Sequence, residues 1–149
     1  MVALRVENVK NFMSLLFGGN SFDNFMFVEG DISTAIDYHI DGKVNMNFYT
    51  DEELEELKCE EYQTWGMTKA IITQMIKGKR LPVSMKLVLK KAGQGDLTYL
   101  LNIRFDSNAL LLVTGISRSV FTLDKSGEKE WDENMCSFLK RFGIEYEEM

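Results

Sequence analysis

The strongest constraint on the fold lies between Tyr99 and Asp124. Tyr99, Leu101, Ile103 and Phe105 alternate with Leu100, Asn102, Arg104 and Asp106. A period of two with one wholly apolar face marks a strand laid against a core. Ser107-Asn108 supplies a two-residue turn, because Asn tolerates the positive φ that such turns need. That turn sets Phe105 against Leu110 and Ile103 against Leu112, apolar against apolar. A second turn at Ser117-Arg118 predicts a third strand, with Thr114 against Phe121 and Leu112 against Leu123. The 99–124 stretch therefore reads as a three-stranded antiparallel meander. Its other face is mixed: Leu100, Leu111, Val113 and Val120 stand beside Asn102, Arg104 and Thr122. A face of that kind is partly covered or holds a partner.

The flanking segments supply the rest of an α+β fold. Val2 to Val6 is a short strand, followed by a helix whose Val9, Phe12, Met13, Leu16 and Phe17 recur on one side. Asn8 is its N-cap and Gly18-Gly19 its stop. Phe22, Phe25 and Phe27 lead into a strand that runs to about Ile32. A three-residue loop, Ile40-Asp41-Gly42, predicts a hairpin pairing Tyr38 with Val44, Ile36 with Met46 and Thr34 with Phe48. That register places Asp37, His39, Lys43, Asn45 and Asn47 on its other face. Thr50 to Glu53 is a capping box for a short helix with Leu54 and Leu57 inward. A second helix spans about 62–77, buries Trp65, Thr68, Ile72, Met75 and Ile76, and ends at Gly78 before Pro82. Val83 to Leu89 alternates as a strand, and its lysines suggest a sheet edge. The last helix runs from Ser126 to Gly143, with Trp131, Met135, Phe138, Leu139 and Phe142 as its apolar stripe. Laid across the meander, Trp131 and Phe138 would contribute about 2–3 kcal/mol each before entropy.

The expected architecture is one mostly antiparallel, twisted sheet of six to eight strands with about four helices, in a single domain over 1–149. A length of 149 residues leaves room for a real core. One Pro and no low-complexity tract predict order throughout, the C-terminal tail excepted. Two architectures fit by fold-level analogy. One is a helix-grip domain with a cavity under the final helix; the other resembles half of a sliding clamp.

Function is far less legible. His39 is the one histidine, which excludes mechanisms and metal sites that need two. Beside Asp37 it could exchange protons, or it is a solvated strand residue. Asp37 and Asp41 lack the spacing of a calcium loop. Cys59 and Cys136 are far apart and form no Cys-x-x-Cys pair, as expected of reduced thiols in the cytoplasm. The N-terminus has no basic region followed by an apolar run, so no signal peptide is expected. No segment approaches the roughly 18 apolar residues of a membrane span. A net charge of −6 argues against unaided binding to nucleic acid or anionic membrane. No cofactor motif is present, and Gly78-Lys79 lacks the frame of a phosphate loop.

Charge separation is the one unusual feature. Residues 51–61 hold seven acids and one Lys, whereas residues 62–95 hold seven basic residues and no acid. Such an unopposed basic run attracts phosphate or carboxylate unless the acidic segment folds back on it. Lys77, Lys79 and Arg80 sit where a helix ends, where cations are also favourable for structural reasons. Arg104, with Asn102 beside it, can grip an oxyanion from a sheet face. The candidate ligand-binding residues are therefore Arg104, Asn102, Lys77, Lys79, Arg80 and Lys86.

Val-Glu-Gly-Asp-Ile-Ser-Thr at 28–34, Ile-Asp-Gly at 40–42, Ile-Lys-Gly-Lys-Arg-Leu-Pro at 76–82, Leu-Asn-Ile-Arg-Phe-Asp at 101–106 and Phe-Thr-Leu-Asp-Lys-Ser at 121–126 carry a resemblance. In these the chain resembles a family of uncharacterised single-domain proteins from Firmicutes-type anaerobic bacteria, over nearly its whole length. The resemblance implies a stand-alone bacterial, cytoplasmic domain and assigns no catalytic residue.

The leading expectation is a non-catalytic binding or protein-interaction domain, its partner a protein or a small anionic ligand. One alternative is an anionic-metabolite-binding protein or enzyme using Arg104 and the 77–91 basic segment. Another is a helix-grip-like carrier of an apolar ligand. Assembly into a homo-oligomer stays open.

Overall fold

Alternation in burial along each strand divides the molecule into a helix-covered side and an open side. The computed structural model describes residues 1–57, 60–119 and 123–149. Among the described residues seven strands form one sheet: β1 (Ala3–Val6), β2 (Met26–Ser33), β3 (Asp37–Asp41), β4 (Ser84–Ala92), β5 (Thr98–Asp106), β6 (Ala109–Ser117) and β7 (Tyr146–Glu148). Their spatial order is β3-β2-β4-β5-β6-β1-β7. Every neighbouring pair is antiparallel. The α-helices among the described residues are α1 (Val9–Met13), α2 (Asp51–Glu56), α3 (Trp65–Ile76) and α4 (Ser126–Arg141). The fold is thus α+β, as the residue pattern indicates.

The β5–β6 hairpin follows the predicted register, with Phe105 opposite Leu110 and Ile103 opposite Leu112. Ser107 and Asn108 both take positive φ, 52° and 63°. Two such residues in succession match the twist of the flanking strands. Met85, Leu87 and Leu89 of β4 and Leu101 and Ile103 of β5 turn to the helix side and are buried. There they meet Phe12, Trp65, Ile72, Trp131, Met135 and Leu139 from the helices in one core.

Several expectations are corrected. The second edge of β6 is taken by β1, so Leu112 has Leu4 as its other neighbour and not Leu123. Pairing with β1 buries Leu4 and Val6, whereas Leu123 is 85% exposed. The expected Thr114–Phe121 pairing lies outside the described residues through Phe121. The C-terminal tail is not loose: Tyr146 to Glu148 pair with β1 as an edge strand. β4 lies inside the sheet, between β2 and β5, so its lysines guard no edge.

The hairpin expected around Gly42 is replaced by a β2–β3 hairpin turning at 34–36, in which Tyr38 pairs with Ile32. Gly42 is needed for a different reason. A Cβ built there would lie 1.9 Å from the Phe27 carbonyl oxygen. The Gly42 N–H donates to the Val28 carbonyl at 2.9 Å, so the chain must pass hard against β2. The Thr50 capping box forms as expected, yet α2 buries no residue; Leu54 and Leu57 are half-buried. On α4, Trp131, Met135 and Leu139 are buried, Phe138 is half-buried and Phe142 is 44% exposed.

Candidate functional site

Helix α1 does not end at Met13 but widens into a π-helical turn, Ser14–Gly18. The Gly19 N–H donates to the Ser14 carbonyl at 3.1 Å, one residue further back than in an α-helix. Two contacts tie this turn to α3. The Trp65 indole Nε1 donates to the Leu16 carbonyl at 2.9 Å. The Lys69 ammonium donates to the Gly19 carbonyl and to the Asp23 carboxylate, each at 2.7 Å.

Beside these ties lies a groove of about 660 Å³, lined by residues of both helices. One wall is Val9, Met13 and Phe17, with Lys10 beside them. The other is Thr73 and Ile76 of α3 with Leu81 and Pro82 after it. The floor is Met85 and Phe105, the sheet's own buried residues. The groove surface is almost wholly apolar, and its size lies in the range of small-ligand sites. Two of the lining side chains are methionines, which adapt to irregular shapes.

The six predicted binding residues fall in two places. Lys77, Lys79 and Arg80 lie in the segment that joins two residues of the groove wall, Ile76 and Leu81. All three are exposed. Lys86, Asn102 and Arg104 come together on the other side of the sheet. There Lys86 stands directly opposite Arg104, and Asn102 opposite Val88. Strand alternation sends Met85 to the groove and Lys86 away from it, so the two sets face opposite sides. No ion pair among the described residues joins the 51–61 acids to the 62–95 bases.

The open face carries charges of both signs, with Asp106 of β5 on it beside Arg104. Glu29, Asp31, Asp37 and Asp41 gather on β2 and β3, with Glu29 directly opposite Asp41. His39 is not beside Asp37 as a functional partner. Its Nδ1 lies 2.7 Å from the Asp31 carboxylate, while Asp37 accepts from the Ser33 hydroxyl at 2.6 Å. Hydrogen bonding and attraction from Asp31, with smaller help from Glu29 and Asp41, raise the His39 pKa above its ordinary value. Among the described residues no group of three or more His, Cys, Asp or Glu is placed to hold a metal. Among the described residues no helix is long and apolar enough to cross a membrane.

Val9, Met13 and Phe17 carry a signal that sequence reasoning did not use. The α1 stripe is two rows wide, and a single helix buries only one row fully. Phe12 and Leu16 enter the core, and the second row is left to line the groove. Lys10 had no signal of its own, because its place depends on α3 and the 81–82 segment.

No curated protein matches this chain, and neither does any solved structure. A family model does match, over residues 15–96 and 94–147, which is most of the length. By that match the chain belongs to DUF5721, a family of unknown function.

Proposed function

We propose that the protein is a non-catalytic binding domain that holds a single-chain amphiphile of the fatty-acid class in the groove between α1 and α3. The observation that carries this reading is one of position: Lys10 lines a 660 Å³ apolar groove, and the exposed Lys77, Lys79 and Arg80 lie in the segment between two of its lining residues, Ile76 and Leu81. An apolar tail gains from burial against Val9, Met13, Phe17 and Ile76 at roughly 25 cal/mol per Å². The head is a carboxylate because the local charges are cations. None of the four has a carboxylate partner among the described residues. The volume fits a flexible chain, and the methionines suit a site that accepts more than one chain length.

Native mass spectrometry and thermal shift test this. Medium- and long-chain fatty acids at saturation should raise Tm by roughly 5–10 °C, as expected for a ligand at about 100 times its Kd. The matching alcohols should raise it less. Val9→Trp should fill the groove and abolish the shift, and Lys10→Glu with Arg80→Glu should weaken acids more than alcohols. A clean apo mass with no shift for any chain length would overturn the reading.

A further inference from the structure

Alternation along β4 turns Met85, Leu87 and Leu89 to the helix side, and the same alternation turns Lys91 there. A lysine on the core side of a strand needs an outlet for its charge. Lys91 has one at the strand's end, opposite Tyr99 of β5, where both line a cleft of about 440 Å³ beside α4. Its ammonium nitrogen lies 5.6 Å from the centre of the Phe25 ring. Arg141, in the last turn of α4, lines the same cleft, with its guanidinium 5.6 Å from the centre of the Phe138 ring.

The rings in this cleft form a continuous wall. Tyr99 stacks on Trp131, Trp131 lies 6.3 Å from Phe25, Phe25 lies 5.5 Å from Phe22, and Phe22 lies 5.1 Å from Phe138. All five line the cleft, and Ser21, Asn134 and Ser137 add a hydroxyl, an amide and a second hydroxyl. Among the described residues no Asp or Glu lines it, and neither Lys91 nor Arg141 has a carboxylate partner. Asp23, between Phe22 and Phe25 in the chain, is held by Lys69. A helix C-terminus gives Arg141 a structural reason to be basic; Lys91, on a strand, has none.

We propose that this cleft binds a small aromatic oxyanion, a flat ring that carries a carboxylate or a phosphate. The ring packs on the aromatic wall in edge-to-face contact. The oxygens take charge-assisted hydrogen bonds from Lys91 and from the two-pronged guanidinium of Arg141. Exposed cation–ring contacts are weak, so both side chains turn from Phe25 and Phe138 to an anion at small cost. A neutral ring would leave both cations unanswered, and a bare inorganic anion would leave the wall unused. The cleft is separate from the fatty-acid groove. Met85 and Phe105 of that groove lie six residues along β4 and β5 from Lys91 and Tyr99, about 20 Å away.

Phenyl phosphate and phenylacetate, titrated separately into the whole chain, test this through the indole N–H signals in NMR. One or both should move the Trp131 signal and leave that of Trp65, which does not line the cleft. Which of the two binds tells a phosphate ester from a carboxylate. Inorganic phosphate and benzyl alcohol should each bind about tenfold more weakly or worse, since each makes half of the contacts. Lys91→Met and Arg141→Met should each weaken binding about tenfold, and Lys91→Arg should retain most of it. Val9→Trp, which fills the groove, should leave this binding unchanged. Circular dichroism checks the fold of each variant, and Arg141→Met gives an independent reading if Lys91→Met does not fold. A Trp131 signal unmoved by either compound up to about 10 mM, inorganic phosphate binding as tightly as phenyl phosphate, or binding indifferent to both Met variants would overturn the proposal.

Discussion

The indole of Trp131 lies flat on the phenol ring of Tyr99, with centroids 4.8 Å apart and planes 6° from parallel. Its Nε1 also donates to the Leu100 carbonyl at 3.0 Å. One side chain thereby fixes both the height and the rotation of α4 on the sheet. Trp131→Ala should cost about 3–5 kcal/mol, the range for removing a buried Trp. Trp131→Phe should cost less, about 1–2 kcal/mol, through loss of the hydrogen bond and some area. Urea unfolding measures both, and a loss below about 1 kcal/mol for the Ala variant would show that α4 is held elsewhere.

Gly42 gives a second test with its own control. The Phe27 carbonyl leaves no room for a Cβ at Gly42, whereas at Gly18 and Gly78 nothing lies within 4 Å. Gly42→Ala must push the 42–63 segment off β2. It should exceed the roughly 1–3 kcal/mol of ordinary overpacking, because the obstacle is backbone. Gly78→Ala should change stability by less than about 0.5 kcal/mol. Equal effects in the two variants would refute the close approach.

His39 titrates alone, which makes its pKa easy to follow by NMR. Asp31 holds the imidazolium in place, so the folded pKa lies above the unfolded value of about 6.5. A raised pKa means the pair's contribution is fully present below the unfolded value. It is lost as pH rises through the folded one. Both groups are largely exposed, so the effect on stability is small. Asp31→Asn should return the His39 titration toward the ordinary range; an unchanged curve would assign the shift to Glu29 and Asp41.

Lys69 joins the end of the π turn to α3 through Gly19 and Asp23. The pair is partly exposed, so Lys69→Met should cost about 1–2 kcal/mol, below the upper range for charged hydrogen bonds. Because Lys69 ties the two walls of the groove, amide exchange should rise in residues 14–19 more than in α4. Uniform loss of protection would indicate a global effect instead.

Local signals were legible where a residue's neighbours in sequence settle its conformation. Asn8 caps α1 by accepting from the Asn11 N–H, and Thr50 closes its capping box with Glu53. Ser107 and Asn108 turn the β5–β6 hairpin in the register their alternation demands. Gly42 suits a turn as well as a close approach, and only the position of Phe27 decides between them. The two-row stripe of α1 likewise reads as core, whereas Val9 and Met13 line the groove.

The chain's own pattern determined an antiparallel α+β domain, its β5–β6 register, its caps and the apolar ridge of its last helix. Each of these follows from periodicity or from contacts a few residues apart. Tertiary structure decided that β1 pairs with β6, so that Leu112 faces Leu4, and that β4 lies inside the sheet. It also parted Lys77, Lys79 and Arg80 from Lys86, Asn102 and Arg104, setting one group beside an apolar groove and the other on the opposite face. Those outcomes depend on which distant segments bury the most apolar surface together, and alternation along a strand names a face without naming what will lie against it.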